Sequence, residues 1–294
     1  MTLNYQPQPG ATSAAIDLAT LLAMALRQDP DRCALRFEGA QMTRAQVSDA
    51  AFANAAKLRR LGLKPAEPVA IRMAPSFDLV VGLCAILLAG GCVVPIDPAR
   101  PVAEQRASVD EAAPRIILAN DWVPLDIAGG ATCLDIDLDA QPSTLPYNRV
   151  ALTPDQDLAF VLPLAGTTTT HASYLQRLHN NISLHQRDAK DTDVAWAQLG
   201  SIDLLDEVFF PLLCGVPLVI TPEATRGDVA AFCQMIAREN VTRLRIAPDR
   251  LEEFLDANIG TDLKGLRTIY CTQAPSETQA RKFAGLVALD ILTP

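Results

Sequence analysis

The sequence predicts an α/β protein built on parallel sheets, and three observations carry that prediction. Short apolar runs rich in Val, Ile and Leu recur along the chain. Stretches of helical periodicity separate most of them, the pattern of βα units rather than of hairpins. With 294 residues, 49% hydrophobic and 20% charged, the chain is long enough to bury a large core, and its length suggests one to two domains.

Met1 to Thr12 is polar and rich in Pro and Gln, without the basic start and apolar run of a secretory signal, so residues 1–15 read as a flexible lead-in. CALRF (Cys33–Phe37) is the first strand. A helix begins at Thr43, where Thr43 and Gln46 form a capping box, Val47, Ala51, Leu58 and Leu61 share an apolar side, and Gly62 stops it. PVAIRM (Pro68–Met73) is the next strand. Leu79–Ile96 is free of charge across 18 residues, the length of a membrane span. Gly90, Gly91 and Pro95 break it and Asp78 and Asp97 flank it, which favours a buried helix turning into a buried strand, CVVPI (Cys92–Ile96). RIILA (Arg115–Ala119) closes a first α/β subdomain, residues 16–119.

Residues 120–157 mix Gly, Pro, Asp and short apolar pairs without a sustained period and read as a linker. Within them DIDLD (Asp135–Asp139) reads as an edge strand with a charged face rather than a calcium loop. A second subdomain, residues 158–294, carries LAFVL (Leu158–Leu162), DVAWAQL (Asp193–Leu199), VPLVI (Val216–Ile220), TRLRIA (Thr242–Ala247) and LRTIY (Leu266–Tyr270) as strands. Its helix over Leu204–Leu213 spaces Leu205, Val208, Phe209 and Leu212 on one side and ends at Gly215.

A net charge of −9 and the absence of a basic stripe argue against nucleic acid as a partner. The seven cysteines are widely spaced and form no CxxC pair, which fits reduced, mostly buried thiols, points to a cytoplasmic setting and argues against a zinc site. No HExxH or GxSxG occurs, so metal hydrolases and serine hydrolases have no support. His171, His179 and His185 lie near Leu175, Leu178 and Ile182 at helical spacing and read as surface or helix-edge histidines.

LPLAGTTTTHAS (Leu162–Ser173), following an apolar strand, has the small residue, glycine and hydroxyl run of a loop that aims backbone N–H groups and Thr hydroxyls at an anion. It has no cation. The simpler alternative is a Thr-rich strand end that binds nothing, since β-branched residues favour strands.

Taken in order, these motifs resemble the large N-terminal part of an amino-acid adenylation domain of a nonribosomal peptide synthetase, in the AMP-forming ligase superfamily. MTRAQV (Met42–Val47) sits at that family's TY-x-E-L helix start, and LLAGGCVVPIDPARP (Leu87–Pro101) matches its LKAG-x-AYVPLDP-x-YP signature. GVPLVITP (Gly215–Pro222), ENVTRLRIAPDRLEEFL (Glu239–Leu255) and LRTIYCTQAPSET (Leu266–Thr278) follow in the family's order. The resemblance implies a layered αβαβα body of two doubly wound subdomains, incomplete at the C-terminus, with its cleft at strand ends.

It also implies residue roles. Asp203 in SIDLLDE matches the aspartate that receives the substrate α-amine; its simpler alternative is capping the helix that follows. Gly166, Thr167 and Thr168 match the SG-S-T core of the phosphate loop, where they would be vestigial contacts to the nucleotide. Thr169 replaces a glycine, His171 a proline, Ala172 the lysine and Ser173 a glycine. Thr272 and Gln273 replace glycines in the GGE-A-L turn and form a possible pocket wall. No residue is assigned a catalytic or metal-ligating role. The family's adenine shelf, ribose-holding aspartate and C-terminal lid with its catalytic lysine would lie past Pro294.

Two functions remain open at this level. The first is a degenerate, truncated adenylation-like domain, non-catalytic by itself, serving as a structural or docking module. The second is an amino-acid-activating domain or a portion of one, using ATP and Mg²⁺ and passing an acyl group to a carrier protein. The expected partners are neighbouring assembly-line domains, a carrier protein or a small accessory protein. Self-association through an unfinished sheet edge is also expected; nucleic acid and membrane are not.

Overall fold

The computed structural model describes residues 17–140, 150–184, 187–246, 250, 253–254, 265–271, 276–278 and 281. Among the described residues two larger sheets, with helices between and outside them, give five layers, and a two-stranded ribbon adds a third, smaller sheet. In chain order the elements of the first part are α1 (Leu18–Leu26), β1 (Cys33–Phe37), β2 (Ala40–Thr43), α2 (Arg44–Arg60), β3 (Pro68–Ile71), α3 (Phe77–Ala89), β4 (Cys92–Pro95), α4 (Val102–Ala112), β5 (Ile116–Leu118), α5 (Leu125–Ala128) and β6 (Thr132–Leu134). There follow β7 (Leu158–Leu162), β8 (Thr167–Thr170), α6 (His171–Leu184), β9 (Asp193–Ala195), α7 (Ile202–Cys214), β10 (Leu218–Ile220), α8 (Glu223–Arg226), α9 (Val229–Arg238), β11 (Arg243–Ile246) and β12 (Thr268–Cys271).

The larger sheet has the order β6-β5-β3-β4-β7-β8, parallel throughout except for the antiparallel edge strand β8. The smaller is β2-β1-β10-β9, with parallel β1, β10 and β9, and β11 pairs with β12 in a parallel ribbon. Strand alternation fixes the layers. Val69, Ile71, Val93, Ile116 and Leu118 turn to a central core shared with α1, α2, α3 and α7. Ala70, Val94, Ile96 and Ile117 turn the other way, onto Val109 of α4 and Ile127 of α5. From the smaller sheet Leu35, Leu218 and Ile220 enter the central core, while Val194 and Val219 pack outward against Phe232 and Ile236 of α9 and Leu244 and Ile269 of the ribbon.

A helix in the middle layer is enclosed on all sides, which explains why α3 carries no polar face. It is buried from Leu79 through Ala89. The charge-free stretch is thus a core helix followed by strand β4, and among the described residues no helix is long and apolar enough to cross a membrane. Ser76 starts α3 by accepting from the Leu79 amide at 3.2 Å. The capping box of α2 has both bonds, Gln46 N–H to Thr43 Oγ1 at 3.2 Å and Thr43 N–H to Gln46 Oε1 at 2.8 Å. Val47, Ala51 and Leu58 of that helix are buried, whereas Leu61, past its last turn, is exposed.

Arg44, the first residue of α2, is buried although it opens the helix. Its guanidinium donates to the carbonyls of Gln28 at 2.7 Å, Leu212 at 3.3 Å and Ala25, joining the carboxyl ends of α1 and α7.

Each of the nine apolar runs read as strands holds one, and among the described residues three strands are additional. β2 forms a hairpin with β1 across Glu38 and Gly39, both at positive φ (48° and 83°), as a two-residue primed turn requires. β8 pairs with β7. β6 corrects the reading of Asp135–Asp139 as an edge strand: the edge strand is Thr132–Leu134, and the acidic residues follow it outside regular structure. There Asn54 of α2 draws the chain inward, donating to the Asp137 carbonyl at 2.8 Å and accepting from the Asp137 amide at 3.2 Å. α5 and β6 also lie inside the stretch read as a linker, and both sheets take strands from either side of it. All seven cysteines are free, four of them buried and Cys133 exposed.

Candidate functional site

In an open parallel sheet the crevice lies at the carboxyl ends of the strands, where helix N-termini and loops meet. The loop leaving β9 crosses between the two sheets at that end: a β-carbon on Gly200 would stand 3.8 Å from the carbonyl oxygen of Pro95, the last residue of β4. This crossing sets the head of α7. Ser201 is its cap, accepting from the Leu204 amide at 3.2 Å, so capping is not the role of Asp203.

Asp203 is instead an ion-pair partner. Its Oδ1 lies 3.1 Å from Arg245 Nη2 on β11 and 3.6 Å from Arg177 Nη2 on α6. One turn further along α7, Asp206 Oδ2 takes the same two arginines, Arg177 Nη2 at 2.6 Å and Arg245 Nη1 at 3.1 Å. Asp206 is 1% exposed and Asp203 39%, so the quartet runs from the core to the surface. Tyr174, fully buried beside Asp206, has its hydroxyl pushed well above the usual phenol range by burial and by that carboxylate.

The third acidic group of α7 is Glu207. Its Oε2 accepts from the amides of Trp196 and Ala197, each at 2.7 Å, which ends β9 at Ala195 and pins the crossing loop. Burial pushes the Glu207 carboxyl up to about 8, opposed by those two amides and by Arg245 and Arg226. A carboxyl raised in the folded state contributes stability that is complete below its unfolded value and is lost as pH rises through the folded one. Wild-type stability is therefore expected to fall between pH 4.5 and about 8 relative to a Glu207→Gln variant, measured by urea unfolding. Parallel profiles for the two proteins would remove Glu207 from this role.

Gly166, Thr167 and Thr168 come after the carboxyl end of β7 and are exposed. Gly166 has φ +58°, the conformation a turn into β8 needs. From Thr167 onward the backbone pairs with β7, Leu162 opposite Thr167 and Val161 opposite Thr168. The Thr167 hydroxyl donates to the Ala165 carbonyl at 3.1 Å, and Thr170 Oγ1 accepts from the Ser173 amide at 3.2 Å at the start of α6. His171 is fully buried, which corrects its reading as a surface or helix-edge residue; burial lowers its pKa, with Asp17 and Asp157 opposing. His179 is half-buried, and His185, Thr272 and Gln273 lie outside the described residues.

The structure thus gathers Asp203 with three residues not singled out in the sequence, Arg177, Asp206 and Arg245. One signal was available: Asp203, Asp206 and Glu207 sit at helical spacing inside an otherwise apolar helix, and buried acids need partners. Among the described residues no group of three or more His, Cys, Asp or Glu side chains is placed to hold a metal ion.

Comparison with known proteins gives the chain a family. The family model for AMP-binding enzymes matches residues 22–289. Gramicidin S synthase 2 of Brevibacillus brevis is 26% identical over 255 residues, 83% of this chain but 6% of that protein. The N-terminal subdomain of Klebsiella oxytoca NpsA, in complex with 3-hydroxybenzoyl-AMSN, superposes with a TM-score of 0.80 at 20% identity, covering 95% of this chain and 72% of that one. NpsA-ThdA, an artificially fused adenylation-PCP di-domain from the same organism, has a TM-score of 0.79 at 20% identity over 94% of this chain and 53% of its own.

Proposed function

The chain belongs to the AMP-binding enzyme family as an adenylation-like domain related to nonribosomal peptide synthetases, and from that membership we propose that it is a non-catalytic body, a structural or docking module of a peptide-assembly system. One observation carries this reading: the hydroxyl run that would grip nucleotide phosphates is strand β8, paired with β7 from Thr167, with Ala172 where the family has its lysine. Thr169, in place of a flexible glycine, belongs to the same ladder. Removing a single preorganised donor commonly costs about two to three orders of magnitude in rate. Several departures in one loop leave unaided catalysis near background.

The partners that fit are neighbouring assembly-line domains, a carrier protein or a small accessory protein. The similarity to an adenylation-PCP di-domain supports a carrier protein among them. A second reading, an amino-acid-activating ligase using MgATP, is favoured by one feature: Asp203 stands partly exposed at the head of α7, at the strand ends.

Amino-acid-dependent ATP/pyrophosphate exchange by the 294-residue chain, across all proteinogenic amino acids and after circular dichroism confirms folding, decides between them. A folded and silent chain is the expected result. Saturable exchange would sink the non-catalytic reading.

A further inference from the structure

We propose that Arg177 and Arg245 are built-in occupants of Asp203, standing where an external ammonium would bind and excluding α-amino acids from the head of α7. The proposal rests on reading Asp203 as the position that would receive a substrate amine.

Both guanidinium groups reach the same oxygen, Asp203 Oδ1, at 3.1 and 3.6 Å. An ammonium arriving there would enter a set of two cations and two anions that already sums to zero, and would stand beside two like charges. Neither arginine is free to yield. Each also holds Asp206, Arg177 through Nε at 2.8 Å and Nη2 at 2.6 Å, Arg245 through Nη1 at 3.1 Å. Swinging either away would strip a partner from a carboxylate that water hardly reaches, the costly direction for a buried pair. The arginines are also fixed by fold, on α6 and β11, whereas a free amino acid must give up translational freedom to compete.

Among the described residues, neither of the other acids of α7 is spare. Glu207 faces inward, and its Oε2 is taken by the Trp196 and Ala197 amides. Asp206 is buried behind the arginines. An α-hydroxy or other acid without an ammonium does not need an unclaimed carboxylate here, so the quartet discriminates against the amine and not against the acid.

The test is calorimetric titration of the whole chain with matched pairs: L-phenylalanine and L-phenyllactate, L-leucine and L-2-hydroxyisocaproate, L-alanine and L-lactate. Wild type is expected to show no preference for an amino acid over its hydroxy partner. The variant Arg177→Gln/Arg245→Gln, which removes both charges and keeps amide donors for Asp206, is expected to gain at least a tenfold preference for the amino acid in one or more pairs. Adding Asp203→Asn should abolish that gain. Wild type already preferring an amino acid, in a manner lost in Asp203→Asn, overturns the proposal; so does a folded double variant that gains nothing. If the double variant does not fold, the cycle between Asp203→Asn and Arg245→Gln is read from urea midpoints, where additive shifts overturn the proposal and non-additive shifts sustain it. Pyrophosphate exchange by wild type with a hydroxy acid would end the non-catalytic reading and leave the arginine assignment standing, so the two fail separately.

Discussion

Replacing Arg44 with methionine is expected to lower the unfolding free energy by about 3 kcal/mol or more, read from urea or thermal unfolding. Arg44 is 2% exposed, and among the described residues no carboxylate is hydrogen-bonded to its guanidinium; its partners are the carbonyls of Gln28, Leu212 and Ala25. Those carbonyls lie at or just past the carboxyl ends of α1 and near that of α7, where partial negative charge collects and orphan acceptors need donors. Burial lowers the pKa of Arg44, with Arg32 adding to the effect and Asp29 opposing it, so the group is held by dipoles and geometry more than by a counter-charge. Methionine fills much of the volume and takes this donor from the carbonyls of Gln28 and Leu212, while that of Ala25 keeps the Gln28 amide at 3.1 Å. Arg44→Lys should recover less than half of the loss, because one ammonium cannot reproduce a planar fork aimed at three oxygens. A methionine variant within about 1 kcal/mol of wild type would show that the carbonyls find other donors.

Asp206→Ala is expected to cost about 3 kcal/mol or more, against about 1 kcal/mol or less for Asp203→Ala. Both side chains pair with Arg177 and Arg245 and both lie on one side of α7. They differ in solvent access, 1% against 39%. Water screens the outer pair and returns most of what its loss takes away. The inner carboxylate is the anchor that lets two guanidinium groups, each partly buried, sit at the junction of α6, α7 and β11. Removing it strands them. Amide exchange should quicken in β11 in the Asp206 variant, since that strand is tied to α7 through Arg245. Equal losses for the two substitutions would mean that the quartet is a surface feature only.

Much of the fold was legible because its signals are local. The βα alternation, the Thr43–Gln46 box and the Gly215 stop depend on residues within a turn or two of each other, and all three stand in the structure. The charge-free run of α3 and β4 was legible as interior because glycines, proline and flanking aspartates mark its ends. The strands that escaped notice have weaker local marks. β2 depends on a Glu-Gly turn and β6 on a short Thr-Cys-Leu run, while β8 reads both as a loop and as a Thr-rich strand end, and its pairing with β7 bears out the strand.

The candidate site divides along the same line. Asp203 was found from its motif, yet its surroundings come from residues 177 and 245, far away in sequence on either side, and no spacing rule links positions so separated. His171 is similar: its helical neighbours suggested a helix-edge residue, and only the packing of α6 against the central layer removes it from water.

The sequence by itself determined that this chain is a layered α/β body of the adenylation type, because side-chain period, caps and turn residues act over a few positions and are written in order. Tertiary structure alone decided that the carboxylate at the head of α7 is already held by two arginines, because that depends on which distant elements the sheets bring together, and it chose the strand over the loop for the hydroxyl run by setting β7 beside it.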